Sequence, residues 1–272
     1  AATVLNFVIL NNRQTHAPID LHKLNIIMLG ILWSLWAGMY VGNRLDGVWS
    51  QLSWLAVPLI MWVVLHTQRQ RGFFRRHQAA YQHFALPIAA VATASWMIWT
   101  NFSTPFQPAP LPYIPLLNPL ELACAGMLWF ALKSLPEALP LEYRRVNAPG
   151  VAALAFMVIS AGVMRLWHFY DGITWQLDIM LQSFGLQASL SVVWAVTAII
   201  LMVYGNRRKL RPFWITGAAL MAVVVKLFLI ELSNSGGIAR IASFIIVGVL
   251  LLLVGWFAPV PPKAVENEED KA

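Results

Sequence analysis

Seven ionisable residues lie within or at the edge of apolar stretches, and chemistry could sit there: Lys226, Arg165, Glu121, Glu231, Arg240, Asp171 and His168. Charge inside hydrocarbon is costly, so each marks either an ion pair or a ligand contact. Lys226, in AVVVKLFLIEL, precedes the turn at Ser233 by about seven residues, roughly 10 Å along a helix. Such a cation snorkels to the interface, pairs with a carboxylate on a neighbouring helix, or faces an anionic ligand such as a phosphate or carboxylate. Glu121 follows Asn118-Pro119 and so falls in a first helical turn, where the helix dipole favours a carboxylate. It is also a candidate partner for Lys226 or Arg165. Arg165 is the second residue of MRLWHFYDG, with Trp167, His168, Tyr170 and Asp171 close behind. An arginine among rings can hold a phosphate or a sugar, and the same residues can form an ordinary interfacial belt. Glu231 and Arg240 flank the turn SNSGG and could close a helical hairpin as an ion pair. Arg44, Asp46 and Asp178 add further charges of both signs on the same side.

Several chemistries are excluded. The chain carries no phosphate-binding glycine loop, no zinc-protease helix motif and no nucleophile elbow. His168 has no second histidine near it, so no metal site is expected. The single cysteine, Cys124, rules out an internal disulfide and reads as a buried thiol. His66, His77 and His83 cluster beside one basic loop rather than mid-membrane, which leaves no haem pair and no expected cofactor. Whether the protein is an enzyme stays open. An enzymatic version would use Glu121 or Asp171 as a base or metal ligand, with Lys226 or Arg165 holding a phosphate.

The elements that must position these groups are apolar helices. The chain is 59% hydrophobic and 11% charged, against about 25% charged for a soluble domain. A span needs roughly 20 apolar residues, and the runs 24–42, 48–66, 81–101, 119–135, 149–167, 184–204, 212–231 and 238–258 qualify, the fourth only narrowly. The expected fold is therefore an all-α integral membrane protein, a polytopic bundle of about eight transmembrane helices with short loops. Of 19 Lys and Arg, 15 fall in or beside alternate segments, such as Arg69 to Arg76, Lys133 to Arg145, and Arg207 to Arg211. By the positive-inside rule these face the cytoplasm and its anionic lipids. The expected location is thus the bacterial cytoplasmic (inner) membrane, with the C-terminus inside. The same reading removes the need for nucleic acid to explain the net charge of +7. Residues 1–23 read as the end of a truncated helix and a cytoplasmic linker, 24–258 as the bundle, and 259–272 as a disordered acidic tail.

Three connecting features add to this. Residues 102–119 hold six prolines and no charge, which predicts an extended, stiff loop, either a connector or a cap over the outer face. Its Phe102, Phe106 and Tyr113 suit the membrane interface. Asn118-Pro119 forms an N-cap and first-turn pair for the next helix. Segment 171–183 is too polar to span and predicts either a surface helix or a dip into the bundle. Gly38 and Gly42 are spaced for close helix packing, as are Gly248 and Gly255.

Towards the C-terminus, Trp214 and Gly217 are followed by VKLFLIELSNSGGIARIASFIIVGVLLLLVGWFAPVPP. This resembles the signature of a bacterial family of predicted multi-pass membrane proteins, domain of unknown function 2339. The NPLEL of residues 118–122 and the stretch from Gln187 to Trp194 are also similar, and the resemblance is clearest over 175–262. The family usually has Asp where Glu231 stands, and its members tend to be longer, which implies N-terminal spans beyond this chain. The resemblance makes Lys226, Glu231 and Arg240 part of a family motif and supplies no mechanism. Three functions follow as expectations. The first is a cell-envelope protein that binds an anionic lipid or lipid-linked glycan at its outer face. The second is a scaffold or assembly protein packed against other envelope proteins, and the third is a transporter.

Overall fold

Without water, a backbone must satisfy its own hydrogen bonds, and an unbroken apolar run does so as a helix. The computed structural model describes residues 19–231 except 104 and 106, with backbone only over 227–231, together with Ile9 and scattered residues of 241–256. Among the described residues every regular element is helical. In order they are α1 (Ile19–Arg44), α2 (Gly47–Thr67), α3 (Gly72–Arg76), α4 (Gln78–Ser103), α5 (Pro119–Ala138), α6 (Leu141–Asp171), α7 (Leu177–Gln182), α8 (Phe184–Arg207) and α9 (Arg211–Glu231). Helix α1 loosens to a π turn at Ala37–Val41, and α4 carries another at Tyr81–Ala85.

Seven of the eight predicted stretches coincide with long helices. Among the described residues five of these, α1, α2, α4, α6 and α8, are by length and composition able to cross a membrane. Helix α5 is diluted by Glu121, Lys133 and Glu137, which agrees with its narrow qualification in the sequence. Most of 238–258 lies outside the described residues. Within the five helices only 17 to 39% of each apolar window is buried. The remaining apolar surface faces outward, as it does where lipid is the solvent.

The chain divides into two units, residues 1–175 and 176–272. In the first, α2 packs on α4, and α5 turns back on α6. Its core has two centres. One, around Trp62, Tyr81, Leu86 and Val151, lies at the end bearing the basic loops. The other, around Val48, Leu55, Met97, Leu120, Cys124 and Met127, lies at the end bearing the proline-rich loop. At the basic end Trp62 Nε1 donates to Ser134 Oγ (3.0 Å) and Arg69 meets Glu137 at 2.7 Å. Gly38 lets α1 lie on α2, because a Cβ there would fall 2.1 Å from the Trp54 ring. The second unit contains the hairpin of α8 and α9, which meet closely at Gly217. A Cβ on Gly217 would lie 2.7 Å from the Ala198 carbonyl oxygen. At Gly248 and Gly255 an added Cβ meets nothing within 4 Å, so the close packing expected there is not found among the described residues.

Between Ser103 and Pro119 the proline-rich loop has no helix or strand among its described residues, as its prolines require. It is nonetheless pinned to unit one. Gln107 O accepts from Val48 N (3.0 Å), and Ala109 O accepts from Trp49 Nε1 (2.9 Å). Segment 171–183 forms the short helix α7, with Met180 buried and Leu177 and Leu181 exposed.

Candidate functional site

The polar centre of the first unit is built where α4, α5 and the far end of α6 meet the proline-rich loop. Asn118 caps α5 through its side chain, with Oδ1 accepting from Leu120 N (2.9 Å), and Pro119 fills the first helical position. This cap fixes the first turn and places Glu121 against α6. Glu121 is 8% exposed and Arg165 is fully buried. Arg165 Nε donates to Glu121 Oε1 at 3.2 Å, and Arg165 Nη1 donates to Asn101 Oδ1 at 3.0 Å. Glu121 Oε1 also accepts from the Tyr113 hydroxyl (3.0 Å), and its Oε2 accepts from the Leu116 backbone N–H (2.6 Å). Three donors and the positive end of the helix therefore hold one carboxylate.

The loop is shaped by this arrangement. Leu116 adopts φ +67°, a conformation that disfavours a side chain, and its N–H is thereby aimed at Glu121. Tyr113 turns inward, stacks on Phe169 at 4.5 Å and is buried. This corrects the interfacial role expected for it, because its hydroxyl finds an anionic acceptor inside. Burial chiefly, and then Glu121's charge and hydrogen bond, push the Tyr113 hydroxyl above its ordinary pKa, with Arg165 opposing. Tyr113 therefore stays a donor at neutral pH. Tyr170 ties the loop down again by donating to Tyr113 O at 3.1 Å.

Not every donor is used. Among the described residues no acceptor meets Arg165 Nη2, although it is fully buried. Asn118 Nδ2 and Ser103 Oγ are likewise buried without partners, and both belong to the same end of the bundle. An unpaired buried donor costs about 1–3 kcal/mol, so a fork with one free tooth is suited to a further acceptor.

The other predicted residues described in this unit do not join this centre. His168 is fixed locally, with Nδ1 2.7 Å from Ile173 O and its ring edge-on to Phe169 and Trp175. Asp171 is exposed and ends α6, where Gly172 (φ +74°) terminates the helix. Lys226 is exposed on α9 of the second unit. The Glu231 side chain and Arg240 lie outside the described residues. Arg44 stacks over the Tyr40 ring at 4.0 Å. Cys124 is a buried thiol, 3.7 Å from Asn101 Nδ2. Among the described residues no group of three His, Cys, Asp or Glu could hold a metal.

Sequence reasoning missed Asn101, Tyr113 and the Leu116 amide as members of the centre. A signal existed for Asn101, the one amide in the run WMIWTNFS, at the end of an otherwise apolar helix.

Apolar helices facing outward, with a buried ion pair between two of them, define an all-α membrane protein of several helices. The chain belongs to the family described as predicted membrane protein (DUF2339), whose model matches residues 1–261. That match reaches far beyond the stretch where the resemblance was clearest. No curated protein and no solved structure matches the chain.

Proposed function

We propose that this is an eight-span protein of the bacterial cytoplasmic membrane, with its basic loops and C-terminus inside. It binds an anionic lipid or lipid-linked glycan, through the phosphate, at its outer face. The observation that carries the reading is the Arg165 guanidinium, which is fully buried, committed through Nε and Nη1, and without an acceptor at Nη2 among the described residues. Planar guanidinium forks match phosphate oxygens, and an anion is favoured near the start of a helix such as α5. Glu121 neutralises part of the arginine's charge and orients it, so the ligand is selected by hydrogen-bond geometry more than by net charge. Asn118 and Ser103 supply further donors at the same end. The aromatic residues Trp167, Tyr170 and Trp175 suit the interfacial headgroup zone.

A second reading rests on the same carboxylate. With three donors already on Glu121, the network could serve only to lock the proline-rich loop onto the bundle of a scaffold protein.

Native mass spectrometry of the gently extracted full-length protein, beside Arg165→Lys and Lys226→Met, separates the two readings. A specific phosphate-bearing lipid that stays on wild type and leaves Arg165→Lys supports the binding site, because lysine keeps the charge and loses the fork. Loss in Lys226→Met alone moves the site to the second unit. If all three forms carry only bulk lipid, the scaffold reading stands.

A further inference from the structure

A second feature of the first unit lies at the opposite, basic end and does not depend on Arg165. Helices α2, α4, α5 and α6 leave between them an open groove of about 460 Å³. Small residues make the space, among them Ala90, Ala94, Ala131 and Gly150. At Gly150 an added Cβ meets nothing within 4 Å, so the groove is real room rather than a packing seam. The polar residues in its wall are turned away. Thr93 Oγ1 donates to Ala90 O (2.8 Å), Trp62 Nε1 donates to Ser134, and Asn147 Nδ2 donates to Ala131 O (3.4 Å). The groove therefore presents hydrocarbon to its occupant.

Its length and its rim identify that occupant. The lining runs from Pro87 to Met97 on α4, from Met127 on α5 to Leu139 just past its end, and from Val146 to Leu154 on α6. At 1.5 Å per residue these stretches span about 12 to 18 Å. One leaflet of a core about 30 Å thick is roughly 15 Å. A partner helix crossing the membrane would need about twice that length, whereas an alkyl chain of one leaflet matches it. At the basic end the rim carries arginines. Arg144 Nε donates to the carbonyl of Leu139, itself a groove residue, at 3.0 Å, which anchors the guanidinium there with its fork exposed. Arg145 precedes the groove residue Val146 and is exposed. Of the acids close to these arginines in sequence, Glu137 is paired with Arg69 and Glu142 is exposed.

We infer that this groove holds one alkyl chain of an anionic phospholipid of the basic-loop leaflet, with the headgroup phosphate on Arg144 and Arg145. Hydrocarbon fills the groove between α4, α5 and α6, and the two exposed guanidinium groups select the charged headgroup.

The test uses the whole chain in phosphatidylcholine nanodiscs doped with a phosphatidylglycerol that carries a photoactivatable group at its chain end. Labelled peptides are located by mass spectrometry. Wild type should be labelled around Met97, Met127 and Leu154, at the deep end of the groove. Gly150→Trp, which fills the open space, should abolish that labelling, and Ala94→Phe plugs the groove independently from α4. Helix content and a monodisperse elution profile show that the variants are folded. Arg144→Gln and Arg145→Gln should each lower labelling by about fivefold and leave a phosphatidylcholine probe unchanged. Labelling that persists in both folded plug variants overturns the groove. Labelling that is equal for both headgroups overturns the role of the arginines. An unlabelled wild type whose self-association is broken by Gly150→Trp would assign the groove to a partner helix and also overturn the proposal.

Discussion

Replacing Glu121 by Gln should destabilise the protein far more than its small change in shape suggests. The carboxylate is 8% exposed, and it is the one charged partner the described residues offer to a fully buried Arg165. With glutamine in its place, the arginine keeps only neutral acceptors, the new amide oxygen and Asn101 Oδ1. Breaking a buried pair in this way costs about 3–5 kcal/mol, because an uncompensated charge stays behind. The amide also turns a donor towards one of the donors that Glu121 now accepts from, Tyr113 and Leu116. Tyr113 can recover part of the loss, since Gly162 O lies 3.4 Å from its hydroxyl. A figure of about 4 kcal/mol follows. The double variant Glu121→Leu with Arg165→Met removes both charges, keeps apolar volume and should lie within about 1–2 kcal/mol of wild type. The measurement is a double-mutant cycle by equilibrium unfolding in mixed dodecylsulfate micelles, its corners wild type, Glu121→Leu, Arg165→Met and the double variant, with Glu121→Gln measured beside them. If either single variant lies within about 1 kcal/mol of wild type, or the double variant equals the sum of the singles, the ion pair does not hold the bundle as described.

Four further outcomes are expected. Tyr113→Phe deletes one hydrogen bond to a charged acceptor and should cost about 1.5–3 kcal/mol, while limited proteolysis should cut within 102–118 sooner than in wild type. Gly47→Ala should destabilise by more than about 1 kcal/mol in the same unfolding assay, because Gly47 has φ +58° and a Cβ would lie 2.2 Å from Gln107 O. Burial first, and the Arg76 charge second, hold His77 below its ordinary 6.5. The fold therefore disfavours the proton, so the His77 contribution is complete above that value and is lost as pH falls below it. His77→Phe should flatten that part of a stability-against-pH curve, and an unchanged slope would remove His77 from the account. Lys226→Met, at an exposed position, should leave the unfolding free energy within about 0.5 kcal/mol of wild type.

The helices were legible because membrane spans are written in unbroken apolar length. The run 184–204 became Phe184–Arg207, and Asn118-Pro119 began α5 as its capping chemistry requires. The number of spans was less secure, since a charged helix such as α5 sits near the limit of apolar content and 238–258 is mostly outside the described residues. The candidate site was half legible. Arg165 and Glu121 stood out by their cost in an apolar setting, and their pairing was one of two arrangements the sequence allowed. Choosing between Arg165 and Lys226 required knowing which helices adjoin, and residues 44 apart in sequence carry no such mark. Tyr113 was misplaced for a related reason. A proline-rich loop has no periodicity to say which side chain turns inward, and an amphipathic ring suits the interface as well as a buried acceptor. The Leu116 amide was invisible because backbone donors leave no trace in residue type.

The central claim is that Arg165 holds the phosphate of a membrane lipid or lipid-linked glycan. The most direct test is a single-particle structure of the full-length protein in nanodiscs made from its native lipids. A phosphate within about 2.7–3.2 Å of Arg165 Nη2 is the result predicted. An Nη2 satisfied by a protein carbonyl, with no headgroup density beside it, would contradict the claim and leave the buried pair as a lock on the loop.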